Sequence, residues 1–522
     1  MAGKIDGTNR GQPYMDETLP GQRLHPFFGG LKLRHHKQVA CQSPVGTPPL
    51  PERLYIPIQQ HQGRPDEAVV EPGDKVLKGQ LLARGTGLRA VPVHAPTSGK
   101  IAGIREWPVA WPPGSQAPCI VLVPDGLDRW TECAPLAEPD RDNRDKLIAH
   151  IRSCGLVGLG GAMFPTAGKL AGDWPDLHTV ILNGAECEPW IACDEMLMRE
   201  RPESVIAGGL MLARATGARR VVVAIEDQMG MVAERLEQAR MENAPEGIVH
   251  LVQVATIYPE GGERQLIQAL TGREVPHDGL PQDLGVVCIN VATAAAVNEA
   301  VSEGRPVIDR IVTVTGPGVA SPCNLKALVG TPATDLLEAA GGISDNTRRL
   351  ILGGPMSGLP LASDQVPVTK GTNCLLALTD SELASTQPVM PCINCGECVR
   401  VCPAGLLPQT LFQQIRGENF DEARELDLFD CIECGCCAQV CPSHIPLVDY
   451  YRHGKDELSR RGVEAERARR ARERFEAREQ RLAREKAERQ ARRQARKEKL
   501  TDRNQAKDQV AAALERARHS SG

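Results

Sequence analysis

The stretch CINCGECVRVCP, Cys392–Pro403, recurs as CIECGCCAQVCP, Cys431–Pro442, and these two runs decide the fold of their part of the chain. In each run three cysteines are separated by two residues, and a fourth follows three residues later, directly before proline. One tight loop can then direct three thiolates at an iron–sulfur cube, while the fourth cysteine ligates the cube of the other run. The repeat therefore predicts a bacterial-type ferredoxin domain with two [4Fe–4S] clusters, a cofactor type that carries electrons.

The crossed ligation assigns four cysteines to each cluster. The predicted ligands of cluster 1 are Cys392, Cys395, Cys398 and Cys441, and those of cluster 2 are Cys402, Cys431, Cys434 and Cys437. Cys436 is an additional thiol, because Cys437 and not Cys436 keeps the spacing. A pair of zinc sites is one alternative, although zinc ligands usually come as two C-x2-C pairs with a longer gap between them. A second alternative is that the clusters are structural and carry no electrons.

The composition limits the function classes. A chain of 522 residues is long enough for three or four domains of roughly 100–200 residues each. The net charge of −5 gives no reason to expect a nucleic-acid partner. No apolar stretch is long enough to predict a bilayer-spanning helix, and the polar start Met1–Asp6 predicts no signal peptide.

Nine of the 18 cysteines lie between Cys392 and Cys441. In a chain without an export signal, such clustering indicates metal ligands and not disulfides. The other nine are scattered, and we expect most of them, such as Cys119, Cys154 and Cys288, to be buried free thiols.

Residues 54–125 have the pattern of short strands separated by turns. The pieces Val70–Ala83 and Val93–Ile101 contain Pro-Gly-Asp and Ser-Gly turn sequences. This pattern resembles the barrel-sandwich fold of biotinyl and lipoyl carrier domains. A carrier needs a lysine at its hairpin tip, and Arg84–Val93 contains none, so we predict a structural or docking module. Residues 1–53 are a polar N-terminal extension with a loop-like Phe27-Phe28-Gly29-Gly30 segment.

Residues 144–310 alternate between buried strands and helices. Thr179–Asn183 and Arg220–Ile225 are short apolar runs typical of strands, and Pro202–Gly217 and Met229–Glu242 are predicted helices. The alternation predicts an α/β domain with a mostly parallel sheet covered by helices. We assign a small α+β module, similar to an SLBB domain, to residues 311–366 and the ferredoxin domain to residues 370–454. The fold class is thus multidomain α/β.

Residues 456–522 form a charged tail of strong helix formers. Between Arg460 and Lys499 there are 17 basic and 8 acidic residues, a local net charge of +9. Few residues are apolar and larger than alanine, so no coiled-coil seam is predicted. The tail is either a solvated helix or a basic arm near anionic lipid or an acidic partner.

A glycine-rich segment, Gly158–Thr166, precedes Lys169 in the α/β domain. Its backbone amides could approach a phosphate, which the lysine could neutralise. The segment is neither a P-loop nor G-x-G-x-x-G, because its sixth position is Met163. Asn183–Pro189, Tyr258–Leu266 and Cys288–Thr293 accompany it at element ends, where α/β folds place ligand residues. Taken without these companions, the glycine turn would be a common structural feature and the glutamates a solvated surface.

These four segments resemble the FMN- and NADH-binding segments of the flavoprotein subunit of respiratory complex I. Nearly the full chain is similar to the RnfC (also called RsxC) family of the Rnf electron transport complexes. The most specific phrases are Val93–Gly99, Glu186–Pro189, Asn373–Leu376 and Cys441–Leu447. The resemblance implies a peripheral subunit on the cytoplasmic face of an inner-membrane complex. Such a complex exchanges electrons between NAD(H) and a low-potential carrier such as ferredoxin, coupled to ion translocation.

The resemblance also implies noncovalent FMN, NAD(H) as substrate, and roles for individual residues, none of them a nucleophile or general base. Gly158, Gly160 and Lys169 would face the FMN phosphate; Asn183, Glu186, Tyr258, Gly261, Gly262, Asn290 and Thr293 would line the flavin; Phe164 would stack on a nucleotide ring; and Glu188 and Glu263 would meet NADH. Two departures from the pattern of these families leave open how well NADH binds, while FMN could stay in place. Met163 replaces a common glycine of the family, and Gly172 replaces an aromatic residue of the complex I relative, with Trp174 nearby.

Two other functions are compatible with the sequence. The chain could be a scaffold and electron relay without flavin, whose glycine segment is only structural. It could also be an NADH-dependent reductase that works alone and not as part of a complex.

Overall fold

The computed structural model describes residues 24–63, 66–85, 87, 89–136, 144–172, 174–383 and 388–519. Predictions for the first 23 residues, for positions 86 and 88 of the hairpin tip and for residues 520–522 lie outside the described residues. The chain forms two compact units. The first comprises Met1–Gln413 and Phe429–Asp449, and the second comprises Gln414–Leu428 and Tyr450–Gly522.

The first domain is a barrel-sandwich of two antiparallel sheets, as predicted. Its strands are β1 Leu54–Pro57, β2 Glu67–Ala68, β3 Lys75–Val76, β4 Leu81–Arg84, β5 Val93–His94, β6 Gly99–Pro108 and β7 Gln116–Pro124. One sheet has the order β1-β7-β6-β3 and the other β2-β4-β5. Alternating apolar residues such as Leu54, Leu82 and Ile101 are fully buried between the sheets and hold them together.

The second domain is a parallel sheet covered by helices. Its elements are α1 Arg144–Ser153, α2 Thr166–Leu170, β8 Thr179–Gly184, α3 Cys193–Glu200, α4 Pro202–Thr216, β9 Arg220–Glu226, α5 Gly230–Asn243, β10 Val249–Val254, α6 Glu263–Thr271, β11 Val286–Asn290 and α7 Val291–Glu303. All pairs in the order β10-β9-β8-β11 are parallel. The strands and helices that the sequence predicted are therefore observed, with bounds shifted by at most one residue. Cys119 of β7, Cys154 and Cys288 are buried free thiols, as expected.

The third domain is built on a five-stranded sheet. Its elements are β12 Asp309–Thr315, β13 Cys323–Leu328, α8 Ala333–Ala339, β14 Thr347–Leu352, β15 Leu359–Pro360 and β16 Cys374–Thr379. The sheet order is β13-β12-β16-β14-β15. The sheet thus begins before residue 311 and includes β16, which the sequence division had placed with the cysteine runs. Strand β16 is an almost fully buried apolar run, and its pairing with β12 and β14 outweighs its position in the sequence.

The cysteine runs form loops that lead into short helices. The helices of this region are α9 Glu397–Arg400, α10 Pro408–Arg416, α11 Phe420–Glu425 and α12 Cys436–Gln439. Short 3-10 turns lie at Lys37–Val39, Pro281–Leu284 and Leu428–Asp430.

The charged tail belongs to one helix, α13 Leu447–His519, which begins before residue 456. Its surface carries ion pairs between residues three and four apart, such as Arg460 with Glu457 and Glu464. Among the helices that the structure describes, none combines the length and the apolarity that a membrane span requires.

Candidate functional site

A cleft of about 1320 Å³ opens at the carboxyl ends of β8 and β11. Its walls come from four parts of the first unit: the barrel-sandwich, the α/β domain, the third domain and the second cysteine run. Representative lining residues are, in that order, Gln60 and Trp111, Asn183 and Asn290, Gly353 and Ser357, and Ile432 and Cys434. The volume exceeds the range of about 300–1,000 Å³ that holds a drug-sized ligand, so the cleft can accommodate a nucleotide with a partner beside it.

Most of the residues predicted to bind a nucleotide line this cleft: Gly160, Asn183, Glu186, Glu188, Tyr258, Gly261, Gly262, Glu263 and Asn290. Four predicted residues lie outside its lining, namely Gly158, Phe164, Lys169 and Thr293. The structure therefore brings segments that are far apart in sequence to one edge of the sheet, as expected for a parallel α/β fold.

The glycine segment is a tight loop whose two ends are hydrogen-bonded to each other. The amide of Gly158 donates to the Phe164 carbonyl at 2.8 Å, so these two residues form the base of the loop. The Leu159 amide donates to Thr293 Oγ1 at 2.9 Å, which ties the loop to the start of α7. Gly158, Phe164 and Thr293 thus support the loop.

The tip of the loop, Gly160–Ala162, is exposed to the cleft. Within the described part of the chain, the three amides of this tip donate no hydrogen bond to a protein atom. Gly161 has a φ of +103° and no atom within 4 Å of where a Cβ would be. Free, exposed amides in a glycine loop are suited to bind a phosphate.

Met163 follows this tip and has a φ of 50°, a left-handed conformation that favours glycine. Its side chain packs against Gly371, at which a Cβ would lie 2.7 Å from the Met163 sulfur. The methionine therefore fills space in the cleft wall where a glycine would leave room. At the second departure, Trp174 packs against the core of the α/β domain and does not line the cleft.

Two asparagines at the strand ends shape the floor of the cleft. Asn183 Nδ2 donates to the Gly261 carbonyl at 2.8 Å and so holds the loop that follows β10. Asn290 accepts from the Ala292 amide at 2.9 Å and thereby caps α7. Its Nδ2 donates to Asp194 Oδ2 at 2.5 Å.

Glu186 is buried and bonds to protein groups. Its carboxylate accepts hydrogen bonds from the amides of Asp194, at 3.0 Å, and Glu195, at 3.3 Å, and so caps α3. Burial raises the pKa of Glu186 to about 7, although the nearby ammonium of Lys37 lowers it. Glu186 thus lines the cleft, and its hydrogen bonds to α3 fix the orientation of its carboxylate.

Glu188 connects the cleft to the third domain. Its Oε1 accepts from the amides of Met356, at 2.6 Å, and Ser357, at 3.1 Å. Burial raises the pKa of this carboxyl, while these hydrogen bonds lower it. The sequence assigned Glu188 to NADH, and the structure shows its carboxylate engaged by the loop that follows β14.

Lys169 and Glu263 form an ion pair with each other. Glu263 lines the cleft and Lys169 lies behind it. A phosphate that reached Lys169 would also lie beside Glu263. The glutamate neutralises the lysine, so this position attracts an anion less strongly than a lone lysine would.

Tyr258 joins the cleft to the second cysteine run. It is 4% exposed, and its hydroxyl donates to the Cys434 carbonyl at 2.8 Å. Burial raises the pKa of Tyr258, so the phenol is neutral and remains a donor. Its ring packs with Cys187 and Cys436 in one small buried cluster. The predicted flavin site and the predicted ligands of cluster 2 are thus in direct contact.

The predicted ligands of cluster 1 surround one cavity. Cys392, Cys395, Cys398 and Cys441 all line it, together with residues such as Gln409 and Ser443. Cys441 comes from the second run, so the structure brings together the crossed set of four cysteines. Cys395 is exposed, and the adjacent Ile393 is 67% exposed.

The predicted ligands of cluster 2 are also neighbours. Burial raises the pKa of the Cys437 thiol, and the adjacent Cys431, Cys434 and Cys402 sulfurs raise it further. In a tetrahedral zinc site with Zn–S bonds of about 2.3 Å, sulfurs lie about 3.8 Å apart. Among the described residues, no three of the eight predicted ligand sulfurs lie within 4.8 Å of one another. In this arrangement the eight sulfurs do not form the compact set that a zinc site requires.

Four family models match parts of the chain. They are the RnfC barrel sandwich hybrid domain at residues 25–127, the Nuo51 FMN-binding domain at residues 151–299, the SLBB domain at residues 311–360 and the 4Fe-4S dicluster domain at residues 391–445. The chain is therefore a multidomain α/β protein with a barrel-sandwich, an FMN-binding, an SLBB and a dicluster domain. FMN and [4Fe–4S] clusters are the cofactors of these domains.

Curated relatives extend the match over most of the chain, and each is the C subunit of an ion-translocating oxidoreductase complex. The relative from Serratia proteamaculans is 45% identical over 496 residues, which are 95% of this chain and 70% of the relative. That of Yersinia pestis is 44% identical over 501 residues, 96% of this chain and 80% of the relative. This chain belongs to the RnfC family, the C subunits of ion-translocating oxidoreductase complexes.

RnfC family members differ in length. The relative from Pseudomonas aeruginosa is 46% identical over 460 residues, which are 88% of this chain and only 59% of that relative. A crystal structure of an NAD+-reducing [NiFe]-hydrogenase in the air-oxidized state matches at 23% identity and a TM-score of 0.41, covering 54% of this chain and 55% of that chain. This likeness is too low to support a conclusion about the site.

Several residues at the site of this RnfC family member were not found from its sequence. Lys37 is fully buried beside Glu186, 149 residues away, and Met356 and Ser357 bind Glu188. No local pattern marks them, because a lysine in a polar extension is usually solvated and a Pro-Met-Ser loop is common. The Gly29-Gly30 pair did indicate an unusual backbone conformation. Its partners, Val401 and Cys402, are too far away in the sequence to be predicted from it.

Proposed function

We propose that this chain is the peripheral subunit through which electrons pass between NAD(H) and a membrane-bound, ion-translocating complex. The observation that carries the proposal is the hydrogen bond from Tyr258, in the cleft, to Cys434, a predicted ligand of cluster 2. It couples a nucleotide-sized cleft directly to an iron–sulfur loop. A relay or scaffold without flavin would have no need of that contact.

The described residues fit a flavin mononucleotide. The free amides of Gly160–Ala162 suit its phosphate, and the strand-end asparagines Asn183 and Asn290 fix the cleft floor through their bonds to protein groups. FMN, when bound, exchanges a hydride with a nicotinamide and single electrons with iron–sulfur centres. The chain's own residues position the cofactors and exclude water, and the chemistry requires no protein nucleophile or general base.

The surroundings of the cysteines support an order of the two clusters. Cys434 and Ile432 of the second run line the cleft. The loop of the first run is more exposed, as Cys395 and Ile393 show. In this proposal cluster 2 is the flavin-side centre and cluster 1 exchanges electrons with a partner at the surface.

Anaerobic reconstitution of the full chain with iron, sulfide and FMN tests this function. We expect about eight iron atoms per chain, from two [4Fe–4S] cubes, together with bound flavin. NADH should then bleach the flavin absorbance and produce cluster EPR signals. A reconstituted chain that retains both clusters but takes up no FMN would refute the flavin cleft and favour the relay without flavin.

The partners and location are also part of the proposal. We infer that the other subunits of the complex bind this chain at the cytoplasmic face of the membrane, with a ferredoxin-like carrier further along the electron path. Support comes from the names of the relatives and from the exposed basic surface of α13, which could lie along anionic lipid. Deletion of residues 456–522 should reduce the membrane-bound fraction in cells that contain the complex. An unchanged fraction would refute a role of the tail in attachment.

A further inference from the structure

Residues 27–37, called the strap below, contact both Tyr258 of the cleft and the loop that carries the cluster 2 ligand Cys402. The amide of Gly30 donates to the Val401 carbonyl at 3.1 Å, directly before the ligand Cys402. The next residue, Leu31, exchanges two hydrogen bonds with Tyr258, at 2.7 Å and 2.9 Å. Two consecutive strap residues therefore bind the Cys402 loop and the cleft tyrosine.

The two glycines of the strap allow this close approach. A Cβ at Gly29 would lie 2.7 Å from the Val401 oxygen and 2.8 Å from the carbonyl carbon of Cys402. A Cβ at Gly30 would lie 2.9 Å from the backbone carbonyl oxygen of Tyr258. Both glycines have a left-handed backbone, with φ of +78° and +81°. No side chain fits at either position without displacing the ligand loop or Tyr258.

The far end of the strap is anchored by a buried charge. Lys37 is 3% exposed, and its Nζ lies 3.4 Å from Glu226 Oε2 and 3.7 Å from Glu186 Oε2. Although burial lowers the pKa of Lys37, Glu186 and Glu226 raise it above its usual value, so the side chain is an ammonium. Next to it, the ring of His36 stacks on Trp190 with 4.4 Å between the centroids.

We propose that the strap is a positioning element that fixes the distance between Tyr258 and the Val401–Cys402 loop. Tyr258 then bonds directly to the Cys434 loop through its hydroxyl, and Leu31 and Gly30 link it to the Cys402 loop. Outer-shell contacts of this kind tune a metal centre as well as hold it. The inference rests on the proposed function for its meaning, but its test requires no flavin.

The test compares two glycine substitutions in the full chain reconstituted with iron and sulfide. Gly29→Ala introduces a side chain against the Cys402 loop. Gly126→Ala is the matched control, since Gly126 has a similar φ of +73° and no atom within 4 Å of its Cβ position. The readouts are the EPR line shape and midpoint potential of each cluster, with cluster 2 identified as the signal that Cys402→Ser removes.

Gly29→Ala should shift the EPR signal and potential of cluster 2 and leave cluster 1 unchanged, while Gly126→Ala changes neither. Equal spectra for the two variants would overturn the inference. If Gly29→Ala fails to assemble, Lys37→Met releases the strap at its contacts with Glu186 and Glu226 and not at the Cys402 loop. Hydrogen exchange at the Leu31 amide should then be faster, and the EPR signal of cluster 2 should shift. Faster exchange with an unchanged EPR signal would overturn the inference, because the strap would then only stabilise the fold.

The same variants separate the two proposals. If the unmodified chain takes up no FMN, the proposed function fails, yet the EPR comparison still decides whether the strap positions cluster 2. If FMN binds and the spectra of Gly29→Ala match the control, only the strap inference fails.

Discussion

The two cysteine runs have the same local structure and different surroundings. Asn394 and Glu433, at equivalent positions, have φ of 54° and 58°, and Gly396 and Gly435 have φ of 78° and 79°. However, no atom lies within 4 Å of a Cβ built at Gly396, whereas one at Gly435 would meet the Met356 oxygen at 3.0 Å. The two runs therefore share one cofactor-binding loop, and only their surroundings differ. In the proposed electron path, these surroundings set the order of the two clusters.

The largest effect is expected from the fourth cysteine of each run, because the ligation is crossed. Cys402→Ser should destroy the cluster of Cys431, Cys434 and Cys437, and Cys441→Ser should destroy the other cluster. Iron content should fall by about half in each variant, since each loses one of two cubes. EPR of the reduced proteins distinguishes the clusters, and loss of the Cys392 cluster in Cys402→Ser would show that the ligation is not crossed.

The next largest effect distinguishes the buried ion pairs behind the cleft from the exposed ion pair of the first run. Lys37→Met leaves Glu186 and Glu226 buried without a cation, and removing one partner of a buried pair costs about 3–5 kcal/mol. Arg400→Met, in the first run, breaks an exposed pair with Glu397 and should cost at most about 1 kcal/mol. Urea denaturation of the anaerobic holoprotein measures both losses of stability, and equal losses would contradict the difference between the buried and the exposed ion pairs.

A smaller effect comes from deleting one hydroxyl beside each cluster. Tyr258→Phe removes the hydrogen bond to the Cys434 carbonyl, and Ser443→Ala removes a 2.9 Å bond to the Pro391 carbonyl beside cluster 1. Each change should destabilise the protein by about 1 kcal/mol. EPR-monitored redox titration should show a shifted potential only for the cluster next to the deleted hydroxyl. A shifted potential of cluster 1 in Tyr258→Phe would contradict the position of Tyr258 beside cluster 2.

The smallest effect concerns two equivalent isoleucines. Ile393 is 67% exposed, and Ile432 is 38% exposed and lines the cleft. Ile393→Ser should change stability by no more than about 0.5 kcal/mol, because exposed substitutions rarely do more. Ile432→Ser should weaken FMN binding in a fluorescence titration, and Ile393→Ser should not. Equal FMN affinities would remove Ile432 from the site.

Local patterns predicted much of the fold and the site. The apolar runs of β8 and β9 identified buried parallel strands, because they are short, rich in β-branched residues and alternate with helical segments. The cysteine spacing predicted the crossed ligand sets, since the geometry of a cube constrains it. The glycine loop and the asparagines at strand ends were expected at one edge of the sheet, and the structure places them there.

Other features depend on contacts between distant residues and have no local signal. Lys37 reads as a solvated lysine until Glu186 and Glu226 are placed around it. Glu188 reads as a ligand residue, although its carboxylate bonds to Met356 and Ser357 of another domain. The position of β16 in the sheet was missed for the same reason, because strand pairing over long separations leaves no mark on either sequence.

In the proposed electron path cluster 2 stands between the cleft and cluster 1, and the two serine variants can establish or refute this order. Each FMN-loaded variant is mixed anaerobically with NADH, and the remaining cluster is followed by EPR, with dithionite as the control that it can be reduced. In Cys441→Ser, which keeps cluster 2, we expect NADH to reduce that cluster. In Cys402→Ser, which keeps cluster 1, we expect dithionite but not NADH to reduce the remaining cluster. Rapid reduction of cluster 1 by NADH in Cys402→Ser would refute the proposed order.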